Sequence, residues 1–137
     1  MEGYKSIIKQ GIRWGDMDSM GHVNNVLFFR YMESARIEYF KKTLFWDSMK
    51  NTGIGPILAS TRCRFKAPLT YPDDVSVGTK TIKMDDYGFT MKYSIMSRKL
   101  KRDVAEGEAV VVSYDYNNNK KTLLPAEVVQ KIKELDF

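Results

Sequence analysis

From residue 24 to residue 45 the chain reads N-N-V-L-F-F-R-Y-M-E-S-A-R-I-E-Y-F-K-K-T-L-F, and this run decides the fold. Phe28, Tyr31, Met32, Ala35 and Tyr39 recur at three- and four-residue steps, the period of one helix face. Val26, Leu27, Phe29, Ile37 and Phe40 widen that face well past a single stripe. The spacing predicts one helix of roughly 20 residues, about 30 Å long at 1.5 Å per residue. A helix this apolar must be gripped by other elements. Asn24 and Asn25 supply side chains able to cap its start.

The rest of the chain supplies the grip. Residues 4–13, with Ile7, Ile8 and Ile12, predict a first strand, and 57–67, 75–84, 89–98 and 104–116 predict four more after the helix. In the first of these four, Thr61, Cys63, Phe65 and Ala67 alternate with Arg62, Arg64 and Lys66, the pattern of a half-buried strand. Asp85-Asp86-Tyr87-Gly88 suits a hairpin turn. Pro68 and Pro72 bracket a break, and Asn117-Asn118-Asn119 ends the last strand. Pro125 opens a short amphipathic helix over 126–135. The result is an α+β chain in which a sheet curls around one helix, with the strand order left open by periodicity.

A length of 137 residues suits one domain spanning 1–137. With 43% hydrophobic and 28% charged residues, the composition excludes a disordered or collagen-like chain. Lys and Arg number 22 against 17 Asp and Glu, and the resulting +5 favours an anionic ligand or partner. The lone Cys63 cannot close a disulfide within the chain, and the N-terminus lacks an apolar signal core, so a cytoplasmic location is expected. No run of about 18 apolar residues predicts a membrane span.

One histidine and one cysteine leave no Cys/His zinc site within a chain. G-x-S-x-G and a phosphate loop are both absent, and Gly53-Ile54-Gly55-Pro56 lacks the third glycine of a dinucleotide fingerprint. No metal and no cofactor is expected.

The chemistry gathers in R-W-G-D-M-D-S-M-G-H-V-N-N, residues 13–25. Two carboxylates and the only histidine lie there, before a helix N-terminus whose first N–H groups lack intrahelical partners and carry the positive end of the dipole. Such a terminus stabilises an oxyanion developing on a carbonyl. Taken singly, Asp18, Ser19, Asn24 and Asn25 read as turn and cap residues, and His22 as a structural imidazole.

The whole string resembles the 4-hydroxybenzoyl-CoA thioesterase branch of the hotdog-fold superfamily, through Trp14, Asp16, Asp18, Gly21, His22, Val23, Asn24, Asn25, Tyr31, Glu33, Ala35 and Arg36. The likeness continues more loosely through Phe65-Lys66-Ala67-Pro68 and the later strands. It implies a hotdog fold, a five-stranded antiparallel sheet wrapped around one long central helix, with two sheets joined in a homodimer, and either that homodimer or a homotetramer of paired dimers as the assembly. It implies hydrolysis of a fatty or aromatic acyl-CoA at a site between subunits.

By position, Asp18 matches the catalytic aspartate, as nucleophile or as general base for water. The N–H of Asn25 would polarise the thioester carbonyl, Gly21 would allow close approach, Asn24 would border the substrate, and His22 would position substrate or water or tune Asp18. Phe28 departs from the tyrosine common among relatives. Glu33 and Arg36, three apart, are expected to form an ion pair.

Two basic clusters suit the phosphates of CoA: Arg62, Arg64 and Lys66 on one strand face, and Arg98-Lys99-Leu100-Lys101-Arg102 in a turn, of which Lys101 and Arg102 are the preferred contacts. An acyl carrier protein as donor stays open, as does a non-catalytic module that holds an acyl ligand. A nucleic-acid binder is not expected, because no recognition helix or aromatic RNA motif is present.

Overall fold

A computed structural model describes residues 1–137. Five strands form one antiparallel sheet in the order β1-β3-β4-β5-β2. They are β1 (Ser6–Gly11), β2 (Ile54–Phe65), β3 (Asp74–Met84), β4 (Gly88–Ser97) and β5 (Arg102–Asp115). A two-residue β6 (Lys120–Lys121) folds back on the end of β5. The central helix α1 (Asn25–Lys42) lies on the inner face, α2 (Phe45–Thr52) follows it, and α3 (Ala126–Asp136) closes the chain. This is the hotdog arrangement that the resemblance implies.

Alternation explains the two faces of the sheet. Val75 and Val77 of β3, Met91, Tyr93 and Ile95 of β4, and Ala105, Ala109 and Val111 of β5 point inward and are buried. They meet Phe28, Met32, Ala35 and Tyr39 of α1 in one contiguous core cluster. Gly107 of β5 belongs to this face, where an added Cβ would collide with the Met32 sulfur. On the outer face Arg62 of β2 pairs with Glu108 of β5, and Lys66, just past the end of β2, pairs with Glu106.

The helix is shorter than its apolar run suggests. Asn24 lies outside it as the cap, its Oδ1 accepting the Val26 N–H at 3.1 Å. At the other end the Thr43 hydroxyl donates to the Tyr39 carbonyl at 3.0 Å, and Leu44 turns left-handed at φ 66°. Phe45 therefore starts α2. Lys41 and Lys42 in the last turn of α1 complement its dipole.

The grip on the helix is also lopsided. Helix α1 leans toward β1 and β3 and touches β2 only lightly. The expected half-buried strand is consequently an exposed edge: Leu58 and Phe65 on its inner face are 41% and 43% exposed. The flank of α1 facing it is open as well, with Val26 67% exposed. The apolar width of the helix is a true signal, but a single copy of the chain does not cover it.

Candidate active site

The loop between β1 and α1 is a small hairpin. Met17 and Val23 form a bridge pair, the Asp18 N–H donates to the His22 carbonyl at 2.8 Å, and the Gly21 N–H donates to the Asp18 carbonyl at 3.0 Å. A turn followed by a left-handed residue needs glycine at that place, and Gly21 has φ 77°. The Met20 N–H donates to Asp18 Oδ1 at 2.9 Å, which fixes the carboxylate on its own turn. The second carboxylate oxygen of Asp18 accepts no hydrogen bond from the chain.

Asp16 clamps the two ends of this hairpin. Its carboxylate accepts the Arg13 N–H at 2.8 Å, while its backbone carbonyl accepts the Asn24 N–H at 3.0 Å. Beneath it the Tyr31 hydroxyl is buried, and burial first, then the Asp16 charge, push that phenol up to about 12. On the far side the Val23 N–H donates to the Leu69 carbonyl at 2.8 Å, tying the hairpin to the β2–β3 connection.

At the helix start the polar groups divide in a useful way. Asn24 occupies the Val26 N–H through its side chain and the Leu27 N–H through its carbonyl at 2.9 Å. The Asn25 N–H donates to nothing in the chain. Asp18, Gly21, His22, Asn24 and Asn25 are thus gathered on one exposed hairpin and helix tip. The His22 ring makes no hydrogen bond or ion pair with Asp18 in the single chain. None of the main grooves is lined by Asp18, His22 or Asn25; one of about 280 Å³ begins at Val26 and runs along α1 beside Leu58.

The cationic turn lies elsewhere, reached through the β2–β3 connection. Lys101, with φ 55°, borders an open groove of about 510 Å³ together with Arg98, Lys99 and Tyr71. Arg102 does not line it and instead donates from Nε to the Asp103 carbonyl at 3.3 Å. Lys99, not singled out from the sequence, donates to Thr70 Oγ1 at 3.1 Å. Nothing in the periodicity marked Lys99 within a run of five residues of which four are basic. Leu69, buried and bonded to the hairpin through the Val23 N–H, was hidden in the proline-bounded break.

The expected Glu33–Arg36 pair does not form. Glu33 instead lies 3.8 Å from Arg30, and Arg36 turns under the helix, where it donates to the Tyr93 hydroxyl at 3.2 Å. Phe28 packs edge-on against Phe65 with ring centroids 5.1 Å apart, an apolar contact. No cluster of three or more His, Cys, Asp or Glu side chains suited to a metal ion is present, and no helix is long and apolar enough to cross a membrane.

Known proteins share this layout. Over 129 residues, 93% of the chain, it is 27% identical to 98% of an Aquifex aeolicus (strain VF5) protein whose name assigns it, as a conjecture, to the esterases. A crystal structure of a thioesterase from Thermus thermophilus, complexed with coenzyme A and Zn, superposes with a TM-score of 0.86 at 27% identity, covering 99% of this chain and 97% of that one. The DHNA-CoA thioesterase of Staphylococcus aureus, 23% identical, superposes with a TM-score of 0.83 over 96% of this chain and 92% of its own. A sequence model of the thioesterase-like superfamily matches residues 12–132. The chain belongs to the thioesterase-like superfamily and is a thioester hydrolase.

Proposed function

We propose that the chain hydrolyses an acyl-CoA to the free acid and CoA, with Asp18 as the reacting carboxylate and the N–H of Asn25 as the oxyanion donor. The observation that carries this reading is one carboxylate oxygen of Asp18 left without a partner on the hairpin and one N–H left without an acceptor at the helix tip that the hairpin leads into. The thioester carbonyl oxygen accepts from Asn25, which polarises the carbon. The Asp18 carboxylate then either attacks that carbon, expelling CoA thiolate and leaving a mixed anhydride for water to cleave, or takes a proton from water as the water attacks. Both routes consume one water and give acid and thiol. CoA itself enters the reading through the coenzyme held by the Thermus relative. Its phosphates suit the groove bordered by Lys101, and Arg102 suits it less.

The site belongs to a pair of chains in this reading. The hairpin is exposed, the adjoining groove has one wall missing, and the β2 edge beside it has no strand neighbour. A homodimer formed along β2 supplies that wall.

The test is Asp18→Asn, which keeps shape and removes charge. A folded variant, checked by circular dichroism, is expected to lose about 100-fold or more in kcat on an acyl-CoA panel. Turnover at the native rate would overturn the assignment. Running the panel on acyl carrier protein esters as well identifies the donor.

A further inference from the structure

The groove along α1 has an apolar part and a charged part. Val26, Leu27, Phe29 and Leu58 supply the first, and Arg30, Glu33 and Arg36 the second; of these three charged residues only Arg36 is buried. Arg36 is 8% exposed, and its single hydrogen bond runs from Nη1 to the Tyr93 hydroxyl. No carboxylate lies within 4.0 Å of it. A guanidinium carries five N–H donors and is costly to bury without an anion. Tyr93 cannot be that anion, because burial raises its phenol and keeps it neutral. Glu33 is turned toward Arg30 and half exposed.

Building on the thioesterase reading, we propose that Arg36 anchors a subsite for the far end of the acyl group and selects acyl chains that end in a carboxylate. The groove begins one residue past Asn25, where the thioester carbonyl is held. Arg36 lies eleven positions after Asn25, about 16 Å along the axis at 1.5 Å per residue. Helical side chains lean back toward the N-terminus, and one turn of lean, about 5.4 Å, leaves about 10 Å between carbonyl and guanidinium. An extended chain advances about 1.2 Å per bond, so about eight bonds fill the gap. The fitting substrate is a medium-chain dicarboxylic acyl group, held by a fork-shaped donor that matches a carboxylate.

Octanoyl-CoA and suberyl-CoA differ only in the terminal carboxylate, which makes them the probe pair for the full-length protein. The wild type is expected to favour suberyl-CoA by about tenfold or more in kcat/KM. Arg36→Gln, which can still donate to Tyr93, is expected to erase the preference while octanoyl-CoA turnover stays within about threefold. Arg36→Lys keeps part of it. Free suberate, measured beside octanoate by thermal shift, is expected to raise the Tm of the wild type and not of Arg36→Gln.

A wild type that prefers octanoyl-CoA, or a preference that survives Arg36→Gln, overturns the subsite and leaves the thioesterase reading intact. So does an Arg36→Gln variant whose only defect is weaker dimerisation by sedimentation, since the counter-ion is then a partner carboxylate. If neither ester is hydrolysed but the suberate shift depends on Arg36, the subsite stands and the acyl-CoA reading falls.

Discussion

Cys63 sits on the inner face of β2 opposite Gly107, and burial pushes its thiol up to about 11. The thiolate is the reactive form, so its scarcity at neutral pH separates a packing residue from a nucleophile. Against a free thiol of pKa about 8.5, iodoacetamide at pH 8 is expected to label Cys63 about 100-fold more slowly, with the rate climbing until about pH 11. Mass spectrometry of the labelled protein checks this, and fast labelling at pH 8 would contradict the burial. Because the proposed chemistry runs through Asp18, a Cys63→Ala variant keeps its turnover. The alternation of Thr61, Cys63 and Phe65 was enough to put the thiol on the apolar face. It could not disclose that Arg36, read as half of an ion pair with Glu33, turns under the helix to Tyr93. Spacing of i to i+3 states which residues are neighbours on a helix, not whether the side chain follows its neighbour or the core.

Elements are joined here by a few polar clamps, and Asp73 is the busiest of them. Its carboxylate accepts the Ser97 hydroxyl, the Lys99 N–H at 3.0 Å and the Asp74 N–H at 2.7 Å, and its carbonyl accepts the Ile12 N–H at 3.0 Å. One residue thus fixes the cationic β4–β5 turn to the β2–β3 connection and to the end of β1. Burial alone would raise its pKa, but the Ser97 hydrogen bond, the two N–H donors and the Lys99 charge outweigh burial and hold the carboxyl below the ordinary range. A carboxyl depressed on folding contributes stability above its unfolded pKa of about 3.9, and that stability is lost as pH falls through the folded value. Asp73→Asn is therefore expected to melt below the wild type at pH 7, with the gap closing below about pH 4. A gap that stays constant down to about pH 2 in thermal melts would contradict the clamp. Long elements such as β3, β4 and β5 were legible because alternation sums over ten or more residues. The two-residue β6 and the break at Thr43 and Leu44 were not, since each depends on a contact or a backbone angle that no period encodes.

At the scale of the whole molecule, the free edge of the sheet and the open flank of α1 adjoin each other. Strand β2 runs twelve residues with one edge on β5 and the other edge free. A long, apolar, unpaired edge is a template for another strand, and natural sheets either blunt such edges or pair them. Basic residues blunt only the outer face of β2; the inner face presents Leu58 and Phe65 toward the open flank of α1, where Val26 and Phe29 lie. Antiparallel pairing of two β2 edges would continue the sheet across a two-fold axis and bring each open flank against the other copy, the self-complementary geometry of a closed dimer. That arrangement accounts for three features at once: the excess apolar width of α1, the exposed inner face of β2 and the groove with a missing wall. Leu58→Lys puts a charge on the edge without touching the core of its own chain. It is expected to raise the dimer dissociation constant about tenfold or more, equivalent to about 1.4 kcal/mol, and to lower thioesterase turnover at dilute protein in step with the monomer fraction. Sedimentation velocity across a concentration series reads the first effect and kinetics at the same concentrations read the second. A wild type that stays monomeric at about 50 μM, or a Leu58→Lys variant that dimerises as the wild type does, would leave each chain to complete its site alone.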